Sequence, residues 1–256
     1  MGMNYLIFNG IGTSTPPGTI PNVLCNTQMT DVYVSKMPSH KKAAMRNTEY
    51  YVKGRDGALH IDEGYADFDL TVQLILLQAT VQRRYEVNAW ADGTGRLVSS
   101  DDIYFSGGSL IAKAYMASVK DEVVWDRLQG NGRVFYDTAT ITFKCKPFMV
   151  EAVESQITMT GTQSIINPGS AISYPLLRVT GSGDATFSVN GSEIGIDDMS
   201  STTPVYIDCE TGYVYTEEDG ATAMRGNIPH FEMGTNTITF GNNVTKIIVT
   251  PRWRWI

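Results

Sequence analysis

Catalysis needs a nucleophile, a base or a cluster of metal ligands, and this sequence is poor in all three. Its three histidines, His40, His60 and His230, sit in neither a G-x-S-x-G elbow nor an H-E-x-x-H helix, the settings that activate a hydroxyl, a thiol or a zinc-bound water. Each reads as a surface or loop residue. Carboxylates are paired in Asp62-Glu63, Asp101-Asp102, Asp197-Asp198 and Glu217-Glu218-Asp219, and a glycoside hydrolase draws its acid and base from such groups. Adjacent acids in turns are ordinarily solvated, so none is assigned. The D-x-D-x-D-G pattern of a calcium loop and the G-x-x-x-x-G-K-[ST] cradle for phosphate are both missing. Cys25, Cys145 and Cys209 are odd in number, far apart and without metal-site spacing, which reads as buried thiols. The expectation is a protein that is not an enzyme, with no catalytic residues, no metal and no cofactor.

The charge balance narrows the partners. Twenty basic against 27 acidic side chains leave a formal charge of −7, which repels phosphate backbones and anionic lipid alike. The densest basic run, His40-Lys41-Lys42 with Arg46 nearby, is short enough to be a solvated loop. No stretch has the 18 or more apolar residues of a membrane span, and no signal peptide is indicated. Neither nucleic-acid recognition nor membrane insertion is expected.

The elements that would position any functional group are mostly strands. With 42% hydrophobic residues, 18% charged residues and 24 glycines, the composition suits strands and turns, and an all-β fold is expected. Strict alternation from Asp67 to Leu74 places Phe68, Leu70, Val72 and Leu74 on one buried face. The run from Val134 to Cys145 repeats the pattern, with Asp137 as the one charge on its apolar side. A partner, a bulge or a strand end must explain it. Between these runs Leu77, Val81, Tyr85 and Ala89 recur every fourth residue, with Val87 and Trp90 widening the stripe and Asp92-Gly93 ending it. This predicts one helix, lying across a sheet or against a neighbouring subunit.

Tyr51-Val52-Lys53-Gly54-Arg55-Asp56-Gly57-Ala58-Leu59 reads as two strands joined by a turn that presents Arg55 and Asp56 at its tip, either as a plain hairpin or as a docking point for a partner. The strand pattern lapses after Pro147-Phe148, and turn signals follow at Thr160-Gly161-Thr162 and Asn167-Pro168-Gly169. A domain boundary is expected there. Beyond it, Ala185–Val189 runs into Asn190-Gly191, the strongest two-residue hairpin signal. Val205–Asp208 is expected to meet Tyr213–Tyr215, and Thr237–Phe240 to meet Ile247–Val249 across Gly241-Asn242-Asn243. Short strands at this spacing predict a β-sandwich of about 100 residues.

The chain closes on Pro251-Arg252-Trp253-Arg254-Trp255-Ile256. Read as a continued strand, it sends Arg252, Arg254 and Ile256 to one face and Trp253 and Trp255 to the other. Two arginines are too few for a salt-dependent grip on phosphate. Arg252 and Trp253 are therefore the candidate structural anchor, Trp253 packing into the chain's own β structure and Arg252 pairing with a carboxylate or carbonyl.

These landmarks occur together in one known family. In order, an early Phe8-Asn9-Gly10, the Gly54-Arg55-Asp56-Gly57 turn, a helix near Trp90, the strand ending Phe143-Lys144-Cys145-Lys146-Pro147-Phe148, the Ile207-Asp208 hairpin and the terminal Pro251-Arg252-Trp253-Arg254 span nearly the whole chain. Together they resemble the distal tail protein of siphophages, the Dit-like tail hub. The resemblance implies a virion protein of the phage tail tip whose residues 1–153 form a ring, generally a hexamer, from a β-sandwich-like domain with one helix and a projecting hairpin. Residues 154–256 would be an outward-pointing galectin-like β-sandwich. It implies contacts with the major tail tube protein on one side and the tail-tip protein on the other, with receptor-binding protein carried by the outer domain. Arg55, Asp56 and Trp90 become the candidate partner or subunit interface. At 256 residues there is little room for inserted sugar-binding modules.

Two other readings compete. A cell-wall carbohydrate-binding module would show exposed aromatics in a groove, for which Tyr206, Tyr213 and Tyr215 are the candidate cluster, two of them expected to pack in the sheet. A cell-wall hydrolase would need the paired acid machinery that is not found.

Overall fold

The computed structural model describes residues 6–8, 11–12, 31–36, 41–77, 80–99, 103–106, 109–129, 135–218 and 220–256. Cys25, His40, Asn9-Gly10, Asp101-Asp102 and Asp219 lie outside them. The chain divides into two compact units, Met1–Ala152 and Val153–Trp255. The first holds β1 (Leu6–Phe8), β2 (Ile11–Gly12), β3 (Val32–Lys36), β4 (Met45–Tyr51), β5 (Ala58–Tyr65), β6 (Phe68–Leu77), α1 (Val81–Trp90), β7 (Thr94–Ser99), β8 (Ile103–Ser106), β9 (Ser109–Val119), β10 (Val124–Gln129) and β11 (Phe135–Glu151). Nine of these strands make one antiparallel sheet in the order β2-β1-β7-β9-β11-β6-β3, with β10 also on β11 and β8 on β9. Strands β4 and β5 pair with each other in a separate two-stranded sheet.

Alternation builds the core of this unit. Leu70, Val72, Leu74 and Leu76 of β6 share one buried cluster with Ala139, Ile141, Phe143 and Cys145 of β11, and Leu6, Phe8, Val32 and Val34 join it from β1 and β3. Each valine, leucine, isoleucine or phenylalanine among them contributes about 1.5–3 kcal/mol on burial. Burial pushes the Cys145 thiol up to about 12, so it stays protonated and behaves as a small hydrophobe. Strand β11 does not stop at Pro147. Its register with β9 shifts between Cys145 and Met149, a bulge that accommodates the proline's missing amide donor and lets pairing resume to Glu151.

The helix turns the other way from the period-four expectation. Leu77 is the last residue of β6, and the helix starts at Val81, with the Thr80 hydroxyl accepting from the Arg83 amide at 3.1 Å as its N-cap. Val87 and Trp90 are its buried residues, and the Trp90 ring packs edge-on against Phe8 and Phe143, each at 6.1 Å. Val81 and Tyr85 stand in solvent. Charge decides the orientation. Arg83 and Arg84 fall on the inward side with Val87 and Trp90, where Arg83 pairs with Asp31 at 2.9 Å and Arg84 donates to Asp137 at 2.6 Å. Asp137 has no exposed surface and also accepts from Arg127 at 3.1 Å. A fully buried carboxylate requires such partners, which explains the one charge on the apolar face of β11.

The second unit holds β12 (Ile157–Met159), β13 (Gln163–Asn167), β14 (Leu176–Gly181), β15 (Gly183–Val189), β16 (Ser192–Met199), β17 (Val205–Asp208), β18 (Tyr213–Thr216), β19 (Gly220–Ala221), β20 (Gly234–Phe240) and β21 (Val244–Thr250). A six-stranded sheet, β12-β21-β14-β17-β18-β19, and a four-stranded one, β13-β20-β15-β16, both contribute to one core. From the first come Leu177, Val179, Ile207 and Val249, and from the second Phe187, Val189, Ile194 and Ile238. This is a β-sandwich. Asn190 (φ 51°) and Gly191 (φ 83°) turn β15 into β16, both in the left-handed region a two-residue hairpin needs. Strands β20 and β21, expected to form a hairpin, belong to opposite sheets. Gly241-Asn242-Asn243 instead carries the chain across, fastened to Thr186 of β15 through the Gly241 amide (2.9 Å) and the Asn242 carbonyl (2.9 Å).

The last residues are not a continued strand. Strand β21 ends at Thr250, and Arg252 takes a left-handed φ of 53°, which breaks the two-residue alternation. Trp253 still turns inward, tilted against Phe231 at 5.8 Å in the sandwich core. Arg252 grips Asp208 with both terminal nitrogens, at 2.6 and 3.4 Å. The Ser170 amide donates to the Arg254 carbonyl at 3.0 Å, and the Arg254 guanidinium lies 5.4 Å from the Tyr174 ring centre.

Candidate assembly surface

Strands β4 and β5 form a hairpin whose residues are exposed on both faces along most of its length. The turn between them runs through Gly54 (φ 83°) and Gly57 (φ 78°) and leaves Arg55 and Asp56 exposed at the tip. Cross-strand polar contacts hold the two strands in register. Thr48 donates to Glu63, Arg46 donates to the Glu63 carbonyl at 3.0 Å, and His60 lies 3.4 Å from Glu49. At the root, Ala66 donates to the Ala44 carbonyl at 2.8 Å, and Tyr65 packs edge-on against Phe148 of β11 at 5.5 Å.

Beyond the root, the hairpin shows solvent a set of groups that ordinarily seek cover. Met45, Tyr50, Tyr51, Val52, Leu59 and Ile61 are all exposed, Tyr51 to 79%. The contiguous Tyr50-Tyr51-Val52 was the signal in the sequence, because three apolar residues in a row place apolar groups on both faces of a strand and leave it no solvent side. A two-stranded hairpin alone is marginally stable in water. This one keeps its register through the polar pairs while its apolar surface stays open.

The outward row of α1 is a second such surface, with Val81 and Tyr85 exposed to more than half of their area and Ala89 beside them. Trp90, expected at a subunit interface, is 2% exposed and offers nothing to a second chain. The structure thus separates the residues singled out in the sequence. Arg55 and Asp56 lie at the hairpin tip, Trp90 lies in the core of the first unit, and Arg252 and Trp253 lie in the second unit. No group of three or more metal-binding side chains occurs among the described residues. His60 and His230 each face a glutamate on the surface rather than a nucleophile.

No known family profile and no curated sequence matches the chain. A solved structure aligns with nearly all of it: the Dit protein (gp 19.1) of SPP1, described as a paradigm of the hub adsorption apparatus in phages infecting Gram-positive bacteria, at 14% identity over 99% of both chains with a TM-score of 0.64. The fold is that of a Dit hub protein. The phage P2 baseplate in its activated conformation with calcium, and the same assembly with strontium, also align at 9% and 8% identity over 97% of each chain, with TM-scores of 0.42 and 0.40. The Dit fold accounts for a mostly-β chain with one α-helix among the described residues.

Proposed function

We propose that this chain is a structural component of a phage tail tip, a ring-forming hub that joins the tail tube to the host-adsorption apparatus. The observation that carries the reading is the β4–β5 hairpin, a regular arm whose apolar groups have no cover within the described residues of its own unit. A neighbouring copy provides that cover in a head-to-tail contact, which closes into a ring when the rotation per subunit divides a full turn. The outward row of α1 is the second surface such a contact uses. On this reading residues 1–153 form the ring, six copies to a turn, and residues 154–256 form a separate β-sandwich unit. One ring face meets tail tube protein, the other meets tail-tip protein, and the sandwich unit carries receptor-binding protein. No step of this role calls for catalysis, a metal or a cofactor.

Negative-stain microscopy and light scattering of the purified full chain test the reading together. Six-fold rings with a central hole are expected, growing with concentration and lost in Tyr51→Lys, which places a charge on the arm. A dimer joined through residues 154–256 at every concentration, untouched by that substitution, overturns it.

A further inference from the structure

We propose that the outer face of the six-stranded sheet in the second unit binds a saccharide, with the open ring of Tyr213 as its stacking platform. The face is built by register. Arg178, Tyr206 and Tyr215 are direct cross-strand neighbours on β14, β17 and β18. The rings of Tyr206 and Tyr215 are 5.2 Å apart and within 10° of parallel, and Tyr213 continues from Tyr215 at 5.4 Å and 19°. The stack is closed at one end, where the Arg178 guanidinium lies 5.8 Å from the Tyr206 centre. At the other end Tyr213 is 50% exposed.

Three aligned rings make a rigid surface that loses little side-chain freedom when something lands on it. Tyr206 is fixed further by donating to Glu217 at 2.6 Å. The surroundings decide what lands. Asp208, which pairs with Tyr213 across the strands, already holds Arg252, and Glu217 is solvated at the rim. Covering these charges with an apolar protein surface would strip their water without replacing it, at a cost. A pyranose ring differs: its axial C–H face covers the tyrosine while its equatorial hydroxyls replace the displaced water at the charged rim. Phosphate-rich polymers gain little here, because Arg252 is already paired with Asp208 and Glu210 and the exposed Glu217 carboxylate beside Tyr206 repels them. This site goes beyond the ring reading and does not depend on it, because one subunit carries every group.

Saturation-transfer NMR on the full-length chain tests it, with chitotriose, lactose and maltotriose as separate probes. At least one probe is expected to receive saturation and to shift the Tyr213 ring protons. Tyr213→Ala should weaken that binding about tenfold, the equivalent of one aromatic stack, and Tyr213→Trp should retain it. Tyr213 is half exposed, so the alanine variant is expected to melt with the wild type. If it does not, the wild-type ring shifts alone locate the site. No transfer from any of the three probes overturns the proposal, as does transfer that leaves the Tyr213 protons unmoved. Concentration-dependent broadening of Tyr213 without any sugar response assigns the face to a second copy and overturns it equally.

Discussion

Arg252 holds a left-handed backbone, a conformation that costs a non-glycine residue about 1–2 kcal/mol. Its two-pronged grip on Asp208 and the burial of the neighbouring Trp253 offset that cost. Burial works to raise the Asp208 carboxyl, but the hydrogen bond and charge of Arg252, with the amides of Glu210 and Thr211, outweigh it and hold the group below its ordinary value of 3.8. A folded value below the unfolded one means the pair's stabilisation is fully present above about 3.8 and is lost as pH falls through the folded value. Asp208→Asn is therefore expected to lower stability at neutral pH by about 1.5–3 kcal/mol, and its melting curve should converge with the wild type's in strong acid. Trp253→Ala should cost more, about 3–5 kcal/mol, since it opens a cavity against Phe231, and denaturant melts at constant slope would show it. A continued strand at the terminus predicts packing for Trp253 and pairing for Arg252; the structure places Trp253 in the sandwich core and Arg252 on Asp208, but without the strand. The left-handed kink was not legible, because the geometry of Arg252 depends on a carboxylate 44 positions away.

At the scale of elements, the helix shows what a periodic pattern can and cannot say. The row Val81, Tyr85, Ala89 is apolar as read, but periodicity marks a face as apolar without saying which body covers it. The inward side was written in charge. Removing the helix's partner for the buried Asp137 with Arg84→Ala leaves that carboxylate to Arg127 alone and should cost about 1.5–3 kcal/mol. If the clasp holds the helix down, amides of Val81–Trp90 should exchange faster in this variant than those of β6. The β20–β21 connection failed for a related reason. A three-residue Gly-Asn-Asn link suits a hairpin and a sheet crossing equally well, and only its contact with Thr186, far back in the chain, selects the crossing. A Cβ added at Gly241 would lie 2.4 Å from the Thr186 hydroxyl and 2.7 Å from its carbonyl oxygen, and β15 cannot yield without breaking its pairing. Gly241→Ala is expected to destabilise by about 1–3 kcal/mol, read as an earlier midpoint in denaturant. By contrast, local signals did suffice for β6, β11 and the Asn190-Gly191 turn, where alternation or a positive φ fixes the outcome within a few residues.

For the whole molecule, a charge of −7 repels free copies at low ionic strength, and in the proposed ring the exposed apolar arm of β4 and β5 supplies the opposing attraction. The arm's amides, protected only by one two-stranded ladder, should exchange quickly in dilute protein and slow as assembly proceeds. Hydrogen exchange of residues 45–65 at two concentrations measures this; equal rates throughout would mean that the arm has no partner among its own kind. If the arm pairs with other copies as proposed, its weakness when alone becomes a timing device. In the proposed ring, a segment whose own folding is marginal gains stability by mass action, as RT ln(1 + [L]/Kd) for the copies around it, so the order of each arm would follow how many other subunits are present. Stray pairs gain little from that term, whereas copies gathered on a growing structure gain it on both sides at once, and the proposed ring would lock where copies are concentrated rather than wherever two of them collide.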